Sequence, residues 1–345
     1  MATLRDVAKR AGASVSAVSE VLNGKGRHTI RVGQATRERI WAVAKELGYT
    51  PNPIARSLVT RKTGVLGLVF PYSGAFIDRN PFCTQVMSGV FEEVVRERYN
   101  LMLHTALGDD WSTVEESALL DPRVDGLLLV LPSPHSPVIA RCLREGFPCV
   151  AIVYEPDSDD VYTVNADEFT GGRLATEHLL ELGHWRIAHL VGTPGIATTE
   201  PRKQGYLAAL AAAGIQADPA LLVPAGFDWQ NGYEAIRTLL ERPSSQHPTA
   251  IFAANDLCAE GAMHALRERG LRVPEDMALV GYDDTWFATM THPPLTSVYM
   301  PIYEMGVLAA QMLIALVEGR EVADRQPVLP VRLSVRESSG PISSY

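Results

Sequence analysis

Residues 3–19 read Thr3-Leu4-Arg5-Asp6-Val7-Ala8-Lys9-Arg10-Ala11-Gly12-Ala13-Ser14-Val15-Ser16-Ala17-Val18-Ser19. Leu4, Val7, Ala8 and Ala11 recur at i, i+3, i+4 and i+7, one stripe of a helix. Gly12 can take the left-handed conformation that stops it. Ser14 is a good N-cap for a second helix, because its hydroxyl accepts a free backbone N–H of the first turn. In that helix Val18, Val21 and Leu22 face inward, and Val15, Ser16, Ser19 and Glu20 are left largely outward. A third helix is predicted with Ile40, Val43, Ala44 and Leu47 buried and Gly48 as its stop. Two short helices around a glycine turn read as a helix-turn-helix, which offers one helix to the DNA major groove. The same pattern also serves small helical bundles that bind nothing.

Charge separates these readings. Residues 1–62 hold twelve Lys/Arg against four Asp/Glu, a net of +8. The rest of the chain holds nineteen against thirty-six, a net of −17. The overall charge of −9 would argue against nucleic acid. The asymmetry argues for it, since phosphate attraction needs only a local basic surface. A solvated basic face is the plainer alternative.

The segment resembles the headpiece of the LacI/GalR family of bacterial transcription regulators. The resemblance is carried by Leu4, Asp6-Val7-Ala8, Ala11-Gly12, Ser14, Val18-Ser19, Val21-Leu22-Asn23, Thr36-Arg37 and Leu47-Gly48-Tyr49-Thr50-Pro51-Asn52. It continues through Ala55-Arg56-Ser57-Leu58 and into the remainder of the chain. It implies an N-terminal all-α helix-turn-helix headpiece followed by an α/β, periplasmic-binding-protein-like core of two doubly wound lobes joined by three crossovers.

Composition agrees with a globular protein. At 345 residues, 46% hydrophobic and 21% charged, the chain has room for two or three domains and ample core. No run of eighteen apolar residues predicts a membrane span. The N-terminus enters a charged helix without a secretory apolar region, so a cytoplasmic, nucleoid-associated protein is expected. Cys83, Cys142, Cys149 and Cys258 form no CxxC pair and read as buried thiols. The nine histidines lack zinc-ligand spacing, so neither metal nor cofactor is expected.

Residues 50–62 read as a linker. Pro51 and Pro53 set its entry, and the short helix that can follow is marginal alone in water. It is a candidate for folding on binding. The resemblance makes it a hinge helix that enters the minor groove as a pair in the dimer, with Leu58 as the wedge in a base step. From residue 63 apolar runs alternate with helical segments: Val65–Phe70, Leu101–Thr105, Gly126–Leu131, Cys149–Val153, Ile187–Val191, Ala250–Ala254 and Met277–Tyr282 read as buried strands. Such alternation yields parallel sheets covered on both faces. The expected division is headpiece 1–49, hinge 50–62, first lobe 63–163 with 294–325, and second lobe 164–293 with 326–345. Without a heptad-repeat tail, a homodimer is expected.

Ligands of open α/β sheets sit beyond the carboxyl ends of strands. Asp283 follows a strand ending Gly281-Tyr282, Arg202 opens the helix carrying Gly205-Tyr206, and Asn255 follows Ile251–Ala254. A carboxylate, a guanidinium and an amide together suit hydroxyls as donors and acceptors. Tyr72, Phe227, Trp229 and Trp286 are the candidate aromatics. The resemblance places effector contacts at Arg202, Asn255 and Asp283, with an aromatic near Phe227 or Trp229. An ion pair of Asp283 with Arg202 serving only structure is the alternative. Two departures fall at the cleft mouth. Ala151-Ile152-Val153-Tyr154 is apolar where the family often carries an acid, and Pro71–Arg79 reads as an insertion.

The expected DNA contacts are Thr3, Ser14, Val15, Ser16, Ser19, Glu20, Asn23, Arg27 and Arg31 in the headpiece, and Asn52, Ala55, Arg56 and Leu58 in the hinge. Glu20 departs from the Arg or His more frequent in the family. Its carboxylate can accept from cytosine N4, or it can pair with a nearby base of the protein itself.

Enzymatic motifs are missing. Gly24-x-Gly26 follows a helix, not a strand, and no GxSxG, HExxH or GxxxxGK[ST] occurs. Asp283 and Asp284 are adjacent, a spacing at which two carboxylates seldom converge on one bond. No catalytic residue is expected. The expectation is a ligand-responsive, sequence-specific transcription regulator, a repressor, whose partners are operator DNA, a second copy of itself and a small polar effector. A sugar is the first choice of effector and a nucleobase or nucleoside the second. A solute-binding protein would explain the core but not the basic headpiece.

Overall fold

The computed structural model describes residues 2–23, 32–50, 62–70, 80–105, 121–132 and 134–342. The chain divides into two units, Met1–Gly64 and Val65–Tyr345.

Among the described residues the first unit holds three helices: α1 (Leu4–Ala11), α2 (Val15–Asn23) and α3 (Gln34–Glu46). Local chemistry defines their ends. The Thr3 hydroxyl accepts from the Asp6 backbone N–H while the Asp6 carboxylate accepts from that of Thr3 at 2.9 Å, a reciprocal cap. Gly12 closes α1 at φ 58°. The Ser14 hydroxyl accepts from Ala17 N at 3.1 Å and starts α2. Val7, Ala8, Ala11, Val18, Val21, Leu22, Ile40, Val43 and Ala44 meet in one small core.

The second unit begins with β1 (Val65–Phe70), α4 (Pro81–Arg96), β2 (Asn100–Thr105), β3 (Leu127–Val130), α5 (Pro137–Glu145), β4 (Cys149–Ile152) and β5 (Thr163–Ala166). It continues with α6 (Glu168–Glu181), β6 (Ile187–Val191), α7 (Thr199–Ala212), β7 (Leu222–Pro224), α8 (Trp229–Leu240), β8 (Ala250–Phe252), α9 (Asp256–Glu268) and β9 (Ala278–Asp283). Last come β10 (Thr296–Tyr299), α10 (Ile302–Glu318), β11 (Val328–Leu329) and β12 (Arg332–Ser334). Two six-stranded sheets result, ordered β11-β5-β4-β3-β1-β2 and β12-β10-β9-β8-β6-β7. Among the described residues all pairings are parallel except β10 with β12. The central strands are buried along their length, as sheets with both faces covered require.

The crossovers fall elsewhere than the sequence division puts them. β5 runs to Ala166 within the first sheet, past the expected boundary at 163. β10, expected in the first lobe, pairs with β9 in the second sheet. β11, expected in the second lobe, pairs with β5 in the first. The cause is that sheet membership is a matter of hydrogen-bond partner, and short edge strands such as Val328–Leu329 carry no apolar run that names theirs.

Helices cover these sheets in closely packed pairs. Between α6 and α7 a Cβ on Gly172 would lie 2.2 Å from the Arg202 carbonyl oxygen, and one on Gly205 2.1 Å from that of Phe169. Both glycines let the backbones touch, and that packing places Arg202.

Candidate functional site

Strand ends from both sheets surround a cavity of about 430 Å³. Asn80, Phe82 and Leu131 line it from the first lobe, and Thr193, Ile196, Thr198, Arg202, Phe227, Asp228, Asn231, Asn255 and Asp283 from the second. Arg202 is its fixed point. Nε donates to Glu168 Oε2 at 2.7 Å and Nη1 to the Ala254 carbonyl at 2.6 Å. Nη2 reaches to 3.6 Å from Asp283 Oδ1. Beneath it the ring of Tyr282 lies 3.5 Å from Cζ, a cation–π contact in a dry setting. Tyr282 fits there because residue 171 is glycine: a Cβ would come within 2.0 Å of the phenol oxygen.

Arg202 is 4% exposed and Asp283 6% exposed. Burial works against the Arg202 charge, but Glu168, Tyr282 and Asp283 more than offset it, so the guanidinium binds its proton more tightly than usual. Burial pushes Asp283 well above the ordinary carboxylate range. Arg202 pulls it back, while Asp256 and Glu168 add to the rise. Asp256 is pushed up to about 7 by burial, against hydrogen bonds from Ser297 and Thr285. Its oxygens accept from Thr285 N at 2.9 Å and Ser297 Oγ at 2.5 Å, tying the turn after β9 to α9.

The backbone at the cleft is strained. Leu131 (φ 50°) and Val153 (φ 59°) end β3 and β4, and Asp283 (φ 97°) and Asp284 (φ 47°) end β9. Non-glycine residues in this region cost about 1–3 kcal/mol each and persist where packing over-determines them.

The other residues divide by role. Asn255 lines the cavity, yet its Oδ1 accepts from Cys258 N and its Nδ2 donates to the Phe227 carbonyl, both at 2.9 Å. It caps α9 and anchors Phe227. The Phe227 ring stands over Gly192, where a Cβ would meet it at 2.2 Å. Trp229, two residues on, is elsewhere: it stacks on Tyr233 at 5.3 Å and meets His264 edge-on at 5.2 Å. It does not line the cavity, because Asp228 starts α8 between the two aromatics and sends their rings apart. Trp286 is 57% exposed and also stands outside it. Tyr72 lies outside the described residues.

In the headpiece, Val15 is 45% exposed, Ser16 is exposed, and Ser19 and Glu20 are half-buried. α2 ends at Asn23. The hydroxyls of Thr3 and Ser14 are engaged in caps. Arg27, Arg31, Asn52, Ala55, Arg56 and Leu58 lie outside the described residues.

Residues 3–52 match the bacterial regulatory proteins, lacI family, and residues 176–339 match a periplasmic binding protein-like domain. The ribose operon repressor of Escherichia coli (strain K12) is 36% identical over 318 residues, 91% of this chain and 92% of its own. This chain belongs to the LacI family. Two solved LacI-family regulators extend the likeness to three dimensions. A transcriptional regulator CelR–cellobiose complex is 34% identical, with a TM-score of 0.75 over 98% of this chain and 100% of its own. A lac repressor dimer bound to operator and the anti-inducer ONPF is 27% identical, with a TM-score of 0.82 over 98% and 99%.

Within this LacI-family core, residue-by-residue reading of the sequence brings Arg202, Phe227, Asn255 and Asp283 to one cavity. It misses Glu168, which clamps Arg202 from 34 residues away, and Asn80 and Phe82. A signal for the last two was present: Asn80-Pro81 is a helix start, with Asn80 Oδ1 accepting from Phe82 N at 2.9 Å. Nothing local marks Glu168.

Proposed function

We propose that this LacI-family regulator represses transcription by binding operator DNA as a homodimer in the cytoplasm, and that a sugar in the Arg202 cavity controls its grip. The headpiece supplies the cationic surface and α2 the groove-reading helix. The division proposed is headpiece 1–49 and hinge 50–62, then a first lobe of 65–166 with 302–329 and a second of 168–299 with 332–342.

The observation that carries the effector reading is the pairing of Arg202 with Asp283. Glu168 and the Ala254 carbonyl hold the guanidinium on one side, leaving Nη2 and the Asp283 carboxylate at the cavity 3.6 Å apart. A donor and an acceptor fixed at that spacing can receive vicinal hydroxyls, with the Phe227 ring as an apolar wall. Two names among the relatives point the same way, a ribose operon repressor and a cellobiose complex, although others are named PurR.

Coupling follows from lobe geometry. The cavity has walls in both lobes, so a ligand touching both favours one lobe arrangement over the other. The ligand shifts the equilibrium by its difference in affinity for the two. The first lobe feeds the hinge, so that shift alters how two hinges pair on the duplex.

Thermal-shift screening of sugars and nucleosides, repeated on Asp283→Ala, tests the reading. A sugar should stabilise the wild type by several degrees and leave the variant unmoved, and the same sugar should change retention of genomic DNA fragments on the protein. A nucleoside hit with no sugar hit would overturn the sugar assignment. Failure to retain any fragment at low salt would overturn the regulator reading.

A further inference from the structure

We propose that the effector is an uncharged disaccharide, with one ring in the Arg202 cavity and the second in a neighbouring cavity beyond Ile196. The proposal rests on the sugar reading above and extends it.

A second cavity, of about 460 Å³, opens on the same cleft. Ile196 lines both. Leu131 and Thr198 face the first cavity, and their chain neighbours Pro132 and Thr199 face the second. The two cavities are therefore neighbours that meet at Ile196. A small-ligand site typically holds about 300–1,000 Å³. The Arg202 chamber alone falls within that range, and the second adds comparable room beside it, so the pair has more space than a monosaccharide fills.

The outer chamber is shaped for hydroxyls. Its first-lobe wall carries Tyr154, Glu155, Asp157 and His135, and its second-lobe wall Glu200 and Lys203. His135 Nδ1 lies 2.9 Å from Asp157 Oδ2, and Lys203 Nζ lies 2.5 Å from Glu200 Oε2. Each wall thus presents a donor beside an acceptor, the arrangement that binds adjacent hydroxyls on a ring. Three carboxylates against one lysine and one histidine make the chamber unfavourable to an anion, which argues against a phosphorylated sugar. Tyr154 is held in place: Asn165 accepts from its backbone N–H and donates to its carbonyl, both at 2.9 Å. Prolines at 132, 134, 156 and 194 stiffen the rim.

The two walls belong to different lobes. A second ring bound between them contributes affinity chiefly in the lobe arrangement that brings them together, and so supplies the differential binding that regulation needs.

Calorimetric titration of the full chain with cellobiose, maltose, glucose and ribose tests this. The variants are Ala197→Trp, which fills the outer chamber, the double variant Glu200→Ala with Lys203→Ala, and Asp283→Asn. A disaccharide should bind at least about tenfold more tightly than either monosaccharide, as one or two added hydrogen bonds allow. Each outer-chamber change should erase that preference while leaving monosaccharide affinity and DNA retention unchanged. The double variant, altering one exposed and one half-buried side chain, keeps the test open if the tryptophan disturbs folding. Equal affinity for one-ring and two-ring sugars overturns the proposal, as does a disaccharide affinity that survives both outer changes. The sugar reading then stands, provided Asp283→Asn abolishes monosaccharide binding. If none of the four sugars binds the wild type, both fall.

Discussion

The headpiece and the core use charge in opposite ways. In the headpiece, cations such as Arg5, Lys9, Arg10, Arg39 and Lys45 are exposed, and they act by number through long-range attraction that salt screens. In the core, Arg202, Glu168, Asp283 and Asp256 are buried, and they act by geometry within a few ångströms. The contacts that hold the two units differ in the same sense. Short-range caps and a nine-residue apolar cluster hold the headpiece. Contacts between residues 34 to 98 positions apart hold the site. Exposed charge tolerates loss one residue at a time; a buried network does not.

Three experiments would break or sharpen that contrast. Arg202→Ala should have the largest effect, because it leaves Glu168 and Asp283 buried without their cation. A loss of about 3–5 kcal/mol in core stability is expected, with effector binding abolished. Denaturant unfolding would measure it, and a loss below about 1 kcal/mol would show that the network is not structural.

Acid should come next. His189 is fully buried between Phe252 and Tyr206, and burial pushes its pKa down to about 4. The unfolded chain takes up that proton near 6.5, so the neutral ring contributes stability that is full above pH 6.5 and is lost as pH falls toward 4. Asp256, raised to about 7, has the opposite sign: its contribution is present at low pH and is lost as pH rises from about 4 to 7. The two oppose each other in the whole protein, so the variant is the informative measurement. The stability of His189→Phe relative to wild type should improve by about 3 kcal/mol between pH 6.5 and 4, and a pH-independent difference would remove the histidine from the account.

The smallest effect belongs to the headpiece. Thr3→Ala removes the reciprocal cap on α1 and should cost about 1 kcal/mol of headpiece stability. Amide exchange in residues 4–11 should quicken several-fold while protection in the core strands stays the same. Faster exchange in both units would mean that they do not behave separately.

Much of this was legible in residue order. The cap at Ser14, the stop at Gly12 and the central strands each depend on neighbours within a few positions; the Thr3 cap does too, but the sequence reading assigned Thr3 to DNA contact instead. α10 was not found, although it is strongly apolar. Ile302, Met305, Gly306, Ala309, Ala310, Met312, Leu313 and Ile314 are all buried, so the helix lacks the polar face that makes helical periodicity visible. β7 is three residues ending in Pro224, too short to announce itself. Phe227 and Trp229 were equal candidates by type and position, and only the helix start at Asp228 separated them.

Residue order by itself determined that a cationic helix-turn-helix precedes an anionic α/β core, because periodicity, capping and charge balance are properties of short segments or simple sums. The tertiary structure alone decided which strands share a sheet and that Glu168 restrains Arg202. It alone brought Ile196 to line two neighbouring cavities. Those outcomes depend on which distant groups come within bonding distance when apolar faces are buried, and no local stretch of sequence encodes that distance.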